Sequence, residues 1–266
     1  MNIEVLVTTM HQIGLSKFKE MNLQTDAVIA NQTDKNEIVE ETIDGHKAKL
    51  VSTDTRGVSR NRNIALAHSG QDADLIVFAD DDLVFNDGYE NMIADEFAAH
   101  PEADAIKFNL HDLSATRKIS MKRIERFEKA TRRNMSASGV WGVALKTAVL
   151  KKHNYKFDER FGPGTAHPNG EDTIFLMKMI DSGIRFYRSP VDIAGIDQTE
   201  STWFKGRNAL YFETCGMAID ECYPWLSRLI VLRSAYKFSR RKDRQMAFWD
   251  ILKSYNKGIR ANRKGD

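Results

Sequence analysis

Short runs of apolar and β-branched residues alternate along most of the chain with longer stretches in which apolar positions recur every three or four residues. The short runs favour strands, and the longer spacing favours amphipathic helices. Strands are predicted at 3–8, 27–30, 49–52, 74–79, 105–110, 140–145 and 184–187. Helices are predicted at 58–69, at 88–100 with Asn86 or Asp87 as its cap, at 146–153, at 172–182 and over most of the chain from residue 203. This alternation predicts an α/β fold with a mixed, mainly parallel sheet flanked by helices.

The most informative stretch is LIVFADDD, from Leu75 to Asp82, in which three aspartates directly follow a strand that is apolar on both faces. If the segment stays extended, Asp80 and Asp82 face one side and Asp81 faces the other. Ligands of parallel sheets bind beyond the carboxyl ends of the strands, which is where these carboxylates fall. Clustered hard oxygen ligands suit Mg²⁺ or Mn²⁺. The alternative is an ordinary turn after a strand, because aspartate is a common turn residue.

A second stretch, RGVSRNRNIAL from Arg56 to Leu66, places Arg60 and Arg62 in the first turns of a predicted helix. Cations are unfavourable there, because the helix dipole is positive at that end. An anion at the site would explain them, since a helix N-terminus with added arginines binds phosphate well. Alternatively the two side chains extend into water, because arginine is simply a good helix former.

A third stretch is the loop FDERFGPGTAHPNGED, which is rich in glycine and proline and leads into the helix at Asp172. Such a loop can close over a substrate. A carboxylate at its end is well placed to act as a general base, which makes Asp172 a candidate. Acidic residues in the first turn of a helix are also favourable for dipole reasons alone, and that is the alternative.

Composition indicates an ordinary globular protein, with 42% hydrophobic and 29% charged residues. No run reaches the ~20 apolar residues that are needed to cross a bilayer. The start of the chain, MNIEVLVTTM, is typical of a strand and not of a secretion signal, so we expect a cytoplasmic protein. The two cysteines, Cys215 and Cys222, are expected to be reduced. No nucleic-acid partner is expected.

The C-terminal region differs from the rest in charge. Residues 226–266 contain 12 Lys and Arg against 3 Asp and Glu, a balance of +9, whereas residues 1–225 carry about −7. Within this region, 226–238 and 246–259 interleave apolar side chains with cations. Basic amphipathic helices bind anionic membrane surfaces, so a peripheral location on the inner face of the membrane is one expectation. A pair of packed helices with a solvated basic face, or with a dimer interface, fits the same pattern.

Taken together, these motifs resemble the GT-A glycosyltransferases of family 2, in the branch that builds bacterial capsular polysaccharides or exopolysaccharides. The resemblance extends over about residues 2–205 and rests on VLVTT, ANQTD, RGVSRNRNIAL, FADDDLVF, FDERFGPG and NGEDTIFL in that order. It implies a nucleotide-sugar-binding catalytic domain over 1–202 and a helical, basic extension over 203–266. Ala30 departs from the family, in which an aspartate is common at that position. The Gln-x-x-Arg-Trp motif of processive synthases is also missing from the sequence.

The resemblance implies roles for particular residues. Asp80 and Asp82 would bind Mn²⁺ or Mg²⁺ on the donor diphosphate, and Asp172, next to Glu171, would be the catalytic base. The nucleotide-sugar would contact Thr8, Asn31, Asp34, Arg56, Arg60, Arg62, Asn63, Asp80 and Asp81. The acceptor side would include Trp141, Gly164, His167 and Trp203, although core packing is the ordinary role of a tryptophan.

The implied reaction is an inverting transfer of a hexosyl-type sugar from a nucleotide-sugar, expected to be UDP-linked, to a hydroxyl of a saccharide acceptor. A lipid-linked acceptor would suit a basic, membrane-binding extension. Two other functions compete with this one. A sugar-nucleotide nucleotidyltransferase shares a similar core but has a glycine-rich loop after its first strand, and here the first glycine is Gly14. A non-catalytic carbohydrate-binding or membrane-binding relative is the other.

Overall fold

Strands and helices alternate through the computed structural model, which describes residues 1–70, 72–113, 123–136, 138–197 and 206–265. The strands are β1 Ile3–Met10, β2 Asp26–Gln32, β3 Glu37–Ile43, β4 His46–Thr53, β5 Leu75–Asp80, β6 Leu83–Phe85, β7 Ala105–Asp112, β8 Glu128–Lys129, β9 Val143–Lys146 and β10 Phe186–Ile196. The helices are α1 Ser16–Glu20, α2 Val58–His68, α3 Tyr89–Ala99, α4 Arg132–Met135, α5 Thr147–His153, α6 Glu171–Asp181, α7 Ala209–Cys222, α8 Ser227–Ser239 and α9 Phe248–Lys264. Among these described helices none is long and apolar enough to cross a membrane.

One mixed sheet organises the fold, with the strand order β3-β4-β2-β1-β5-β9-β7-β10-β6 and with β8 paired to β10. The strands β4, β2, β1 and β5 run parallel, whereas β9 is antiparallel to both of its neighbours. The register sets Thr8 of β1 opposite Asp80 of β5 and opposite Ala30 of β2. The carboxyl ends of the parallel strands therefore meet at one edge of the sheet, and the predicted α/β architecture is confirmed.

Alternate residues of the central strands pack into two separate cores, as the two-residue period of a strand requires. On one face Val7 and Val77 pack in a cluster with Phe18, Tyr89 and Phe97. On the other face, residues such as Leu6 and Phe78 pack with side chains from α6 and α7. Because both faces are covered, the central strands are apolar throughout and show no alternation in sequence.

The C-terminal helices pack on this second core and on one another. Met217, Ala218 and Cys222 of α7 belong to the same apolar cluster as Phe78 of the central sheet. A smaller cluster joins α7, α8 and α9 through residues such as Phe212, Val231 and Tyr255. The extension predicted for 203–266 is thus in direct contact with the α/β core. The predicted division at residue 202 falls in 198–205, outside the described residues.

The structure corrects several sequence predictions. The strand β3 was not expected, although Asp44 and Gly45, at φ 51° and 89°, form the two-residue turn that closes its hairpin with β4. The strand predicted at 184–187 is wrong in extent, because β10 continues through Pro190 to Ile196 with irregular register. Neither Asn86 nor Asp87 caps α3, whose N-cap is Gly88.

The side chains of the two expected caps have other partners. Asn86 donates from its amide to the carbonyl of Asp192, and the carboxylate of Asp87 accepts hydrogen bonds from Asn22 and Gln24. The short strands β6 and β8 and the short helices α1 and α4 also lay beyond what the sequence pattern indicated, because elements of two to five residues carry no readable period.

The crossing of α7 and α9 depends on two glycines. A Cβ atom added to Gly258 would lie 1.9 Å from the backbone oxygen of Glu213, and one added to Gly216 would lie 2.2 Å from that of Tyr255. Both contacts are with backbone, which has no flexible end that can move aside. The two helices therefore approach closely only because these positions lack side chains.

We predict that Gly258→Ala destabilises the protein by about 2 kcal/mol or more, on the scale of overpacking in a core. Helix propensity alone would give the opposite sign, a gain of up to about 1 kcal/mol. Chemical unfolding followed by circular dichroism measures the difference, with Lys253→Ala at an exposed position of α9 as the control. A stabilised Gly258→Ala variant would contradict the close crossing.

Candidate active site

The carboxyl ends of β1 and β5 bring threonines and aspartates into direct contact. Thr8 donates through Oγ1 to Oδ1 of Asp80 at 3.1 Å, and Thr9 donates through Oγ1 to Oδ2 of Asp81 at 2.5 Å. These contacts follow from the parallel register of the two strands. They hold Asp80 and Asp81 in place, whereas Oδ1 of Asp82 has no hydrogen-bond partner among the described residues.

Arg62 of α2 connects this aspartate cluster to the start of α6. Its Nη2 lies 2.9 Å from Oδ1 of Asp80, and its Nη1 lies 2.5 Å from Oδ1 of Asp172 and 3.8 Å from Oε1 of Glu171. The side chain is only 5% exposed. Burial by itself would lower the pKa of Arg62, but Asp172, Asp80 and Glu171 together raise it. A fixed positive charge therefore sits between three carboxyl groups.

Asp82 is the least satisfied acid of the cluster. Its Oδ1 is buried and accepts no hydrogen bond from any described residue. Burial, with the charges of Asp80 and Asp81 added, raises its pKa to about 7. Burial also raises the pKa of Asp81, against the hydrogen bond from Thr9. The site thus concentrates more negative charge than its own cations neutralise.

The two acids at the start of α6 differ in their surroundings. Burial and the neighbouring charge of Asp172 raise the pKa of Glu171 to about 8, against the attraction of Arg62. Burial likewise raises the pKa of Asp172, but here Arg62 opposes the shift by a direct hydrogen bond. At neutral pH we therefore expect the proton of this pair to reside on Glu171 and the negative charge on Asp172.

The glycine-rich loop before α6 is docked against α2 and α7. The amide of Val58 donates to the carbonyl of Pro163 at 2.9 Å, and Ser59 donates through Oγ to the carbonyl of Phe161 at 2.7 Å. Gly164, at φ 87°, lies against Gly57, where an added Cβ would be 3.1 Å from backbone atoms. The loop already covers one side of the site in this conformation.

These groups line a cavity of about 1750 Å³. Its polar side contains the strand ends and the acids, namely Thr8, Thr9, Arg62, Asp80, Asp81, Asp82, Glu171, Asp172 and Asp197. Its other walls come from Trp141, from the docked loop and from the C-terminal helices, the last with Tyr211, Cys215, Ile219, Tyr223, Ile230, Phe238 and Tyr255. A polar, acidic end and a more apolar, aromatic end therefore share one space.

Most of the predicted site residues meet in this cavity. Ten of them line it, namely Thr8, Arg56, Arg62, Asp80, Asp81, Asp82, Trp141, Gly164, Glu171 and Asp172. Five others do not line it, namely Asn31, Asp34, Arg60, Asn63 and His167. The last predicted residue, Trp203, lies outside the described residues. The ligand contacts assigned to all of these residues stay predictions.

The predicted site residues that lie outside the cavity interact with other groups of the protein. Asn31 bonds to both backbone groups of Gln12 and to Ser52. Asn63 holds the backbone of Phe157 by accepting from its amide at 2.8 Å and donating to its carbonyl at 3.0 Å. Asn31 thus fixes the segment after β1, and Asn63 fixes the approach to the glycine-rich loop. The geometry gives both residues a supporting role.

The other three residues outside the cavity are also engaged. Arg60 pairs with Glu159 at 2.8 Å, and Asp34 pairs with Arg56 at 2.7 Å. His167 packs its ring near that of Phe161, with the ring centroids 5.7 Å apart. Burial lowers the pKa of His167, so the ring is neutral at physiological pH. The ion pair between Arg60 and Glu159 is exposed, and the phosphate contact expected of Arg60 stays a prediction.

Lys107 of β7 was not among the predicted site residues, and it is buried beneath the site. Its ammonium donates to the carbonyl oxygen of Trp141 and lies 3.5 Å from the centroid of the indole ring. Burial lowers its pKa well below the ordinary value, against the attraction of Asp172 and Asp80. The signal was a lysine inside the apolar strand AIKFNL, since lysine is almost never fully buried without a specific partner. Lys107 fixes the ring of Trp141 at the cavity wall.

Comparison with known proteins finds similarity to glycosyltransferases in part of the sequence and in the fold. Residues 29–156 match the model of a family described as Glycosyl transferase family 2. No curated protein matches the sequence. The fold is similar to that of S. aureus TarS 1-349, with 14% identity, a TM-score of 0.62 and coverage of 100% of this chain and 92% of that chain.

Two further structures of S. aureus TarS 1-349 cover all of this chain as well. The complex with UDP-GlcNAc has a TM-score of 0.65 at 13% identity and is covered over 93% of its length. The complex with UDP has a TM-score of 0.63 at 14% identity and is covered over 92%. At such identities the likeness establishes the fold. The fold and the family match together support a glycosyltransferase.

Arg62 and Arg60 of α2 allow a matched test of the buried ion pairs that Arg62 forms with Asp80 and Asp172. We predict that Arg62→Ala lowers the free energy of unfolding at neutral pH by about 3–5 kcal/mol, because it leaves buried carboxylates without their counter-charge. Arg60→Ala, which breaks an exposed pair, should cost at most about 1 kcal/mol. Urea unfolding of both variants measures the difference. Equal losses would show that Arg62 does not carry the structure of the site.

Proposed function

We propose that this protein is an inverting glycosyltransferase that moves a sugar from a nucleotide-sugar to a hydroxyl group of a saccharide acceptor. One observation supports the proposal above the others. The carboxylate of Asp172 faces the same cavity as the aspartate cluster at the end of β5, and Arg62 joins the two. The guanidinium of Arg62 therefore contacts the proposed base for the acceptor, Asp172, and also Asp80 at the proposed site for the donor diphosphate.

The aspartate cluster suits a divalent cation. Asp82 offers a buried oxygen without a partner among the described residues, and burial, with the charges of Asp80 and Asp81 added, raises its pKa. Within the described residues no three His, Cys, Asp or Glu side chains converge on a single ion position. Protein ligands from Asp80 and Asp82 would therefore be completed by phosphate oxygens and water, which is how Mg²⁺ is commonly held. A bound Mn²⁺ or Mg²⁺ would neutralise charge on the departing nucleoside diphosphate.

The proposed chemistry is a single displacement at the anomeric carbon. The acceptor oxygen forms the new glycosidic bond while the bond from the anomeric carbon to the phosphate oxygen breaks, and the electron pair leaves with the diphosphate. Asp172 takes the proton of the acceptor hydroxyl. Arg62 keeps Asp172 ionised before the reaction, and its positive charge is held close to the place where the diphosphate gains negative charge.

The donor can be proposed more specifically than the acceptor. A UDP-sugar donor is supported by the TarS complexes with UDP-GlcNAc and with UDP. Trp141, with its ring fixed by Lys107, offers an aromatic face of the kind that packs against a sugar ring. The apolar walls of the C-terminal helices suit an acceptor that carries a lipid. A role in capsular or exopolysaccharide synthesis at the cytoplasmic face of the membrane is the wider proposal.

The competing functions find less support. A nucleotidyltransferase would need a glycine-rich loop after the first strand, and β1 instead continues through Thr8 and Thr9 to Met10. A non-catalytic relative would have no reason to keep Asp80, Asp82 and Asp172 around one cavity with an unpaired carboxylate oxygen.

Asp82→Asn tests the cation. We predict that the variant binds UDP in the presence of Mn²⁺ at least ~10-fold more weakly than the parent protein, on the scale of losing a metal-site interaction. Without a divalent cation the two proteins should bind UDP alike. Calorimetric titration measures both affinities, and Asp95→Asn at an exposed position of α3 is the matched control. Equal Mn²⁺-dependent binding by the parent and Asp82→Asn would refute the metal assignment.

The same variant has a consequence for stability. The folded-state pKa of Asp82, about 7, lies above its ordinary value of 3.8. The folded protein therefore binds this proton more tightly than the unfolded chain, and Asp82 costs stability as pH rises from about 4 to about 7. Asp82→Asn should be more stable than the parent above neutral pH by on the order of 2 kcal/mol, and the difference should shrink toward pH 4. Thermal unfolding without metal measures this.

Asp172→Asn and Glu171→Gln form a matched pair for the base. Asp172→Asn should reduce turnover by ~100-fold or more while donor affinity is kept, on the scale of general-base catalysis. Glu171→Gln should keep most of its activity at neutral pH, because the amide resembles the protonated carboxyl expected there. Initial rates of UDP release measure both. Loss of activity in Glu171→Gln with normal turnover in Asp172→Asn would reverse the assignment.

A further inference from the structure

The outward face of α8 presents a continuous apolar stripe. Its side chains are Trp225 in the turn before the helix and Leu229, Leu232 and Tyr236, which are spaced four, three and four residues apart. They are 95%, 67%, 46% and 57% exposed, respectively. The helical period brings these positions onto one side. A stripe of this kind on a surface marks an interaction site more often than chance exposure.

Arginines flank the stripe on both sides. Arg228, Arg233 and Arg240 are exposed, and α8 itself contains no acidic residue. No acidic side chain of the described chain pairs with any of the three. Arg240 instead donates to the hydroxyl of Tyr236 at 3.2 Å. The face therefore combines apolar and aromatic groups with positive charge that the protein leaves uncompensated.

The opposite side of α8 contributes to the active-site cavity. Ile230, Ser234, Lys237 and Phe238 line that cavity, while Val231 and Ala235 pack in the core formed with α7 and α9. One helix thus separates the cavity from the exposed stripe. Past its end, a shallow groove of about 670 Å³ is lined by Arg240 and Arg244 together with Phe248, so cationic and apolar groups continue beyond the helix.

We infer that the outward face of α8 docks on an anionic lipid bilayer and holds one wall of the active-site cavity at the membrane surface. Charge complementarity selects this occupant. A second copy of the chain would bring Arg228, Arg233 and Arg240 against the same arginines, which is unfavourable. Tryptophan, tyrosine and leucine interleaved with arginine on a helix that lies along the surface are typical of an interfacial helix. The inference is independent of the proposed chemistry, because lipid binding requires no turnover.

The expected strength follows from the charges. Three arginines near an anionic surface should together change the partition coefficient by about 100-fold, and this contribution should fall steeply with salt because screening shortens its range. The apolar side chains should add to binding on anionic vesicles and should give only weak binding on neutral ones.

Vesicle co-sedimentation of the full chain tests the inference. The parent protein should bind phosphatidylcholine vesicles that contain phosphatidylglycerol at low salt, and should lose most of this binding at high salt or on phosphatidylcholine alone. The triple variant Arg228→Gln/Arg233→Gln/Arg240→Gln should bind about 100-fold more weakly. Leu229→Asn/Leu232→Asn should bind at least about 10-fold more weakly. Circular dichroism and thermal unfolding show that the variants are folded.

Two matched control variants distinguish vesicle binding by this face from nonspecific binding by other charged or apolar side chains. Lys151→Gln/Lys152→Gln/Lys156→Gln removes the same charge from an exposed site near α5, and Ile38→Asn removes an apolar side chain that is 55% exposed on β3. Both should bind vesicles like the parent protein. The inference is overturned if the parent ignores anionic vesicles at low salt, or if the controls lose binding as much as the α8 variants. It is also overturned if light scattering shows a dimer that the α8 variants dissociate, since the stripe would then be a self-interface.

Discussion

The buried guanidinium of Arg62 is the interaction on which the site depends. It reaches Asp80 at the end of β5 and Asp172 at the start of α6, with Nη–Oδ distances of 2.9 and 2.5 Å. Three partly buried carboxyl groups could not lie this close together without a fixed positive charge between them, because isolated buried charges are costly. The same contact also sets the position of the proposed base relative to the proposed diphosphate site. Folding and chemistry therefore use one ion-pair network.

This network leaves one carboxylate oxygen without a partner among the described residues, and that oxygen supports the proposed function. Arg62 satisfies Asp80 and Asp172, the threonines of β1 satisfy Asp80 and Asp81, and Asp82 keeps an oxygen without a partner. A protein selected only for stability would not keep such a group, whereas a binding site for a cation and an anionic donor gains from it. Ligand binding would complete a set of charges that the protein's own side chains leave unbalanced.

Much of this could be predicted from the sequence. The strand and helix pattern is sufficient for the fold, because buried parallel strands and amphipathic helices differ in period, and the order of the motifs brought Asp80, Asp82, Arg62 and Asp172 to one site. Local signals predicted less. The Asp44–Gly45 dipeptide is typical of a hairpin turn, but the hairpin was not predicted from it. The predicted last strand was shorter than β10, because Pro190 is unusual inside a strand. The lysine inside the apolar run AIKFNL was also a readable signal of a special position. The contact of Lys107 with Trp141 and the cavity walls from α7 and α8 depend on long-range packing, which no local pattern encodes. Arg60 and Arg62, two residues apart, illustrate the limit, since only the structure separates the surface pair from the buried bridge.

The proposed reaction is a single displacement on a nucleotide-sugar in which Asp172 is the base. The most direct measurement is proton NMR of the first sugar product formed from a panel of α-linked UDP-sugars with Mn²⁺, with water or a simple saccharide as the acceptor. The account predicts a β-configured product that forms together with UDP and is not formed by Asp172→Asn. An α-configured first product, or product formation that Asp172→Asn leaves unchanged, would contradict it.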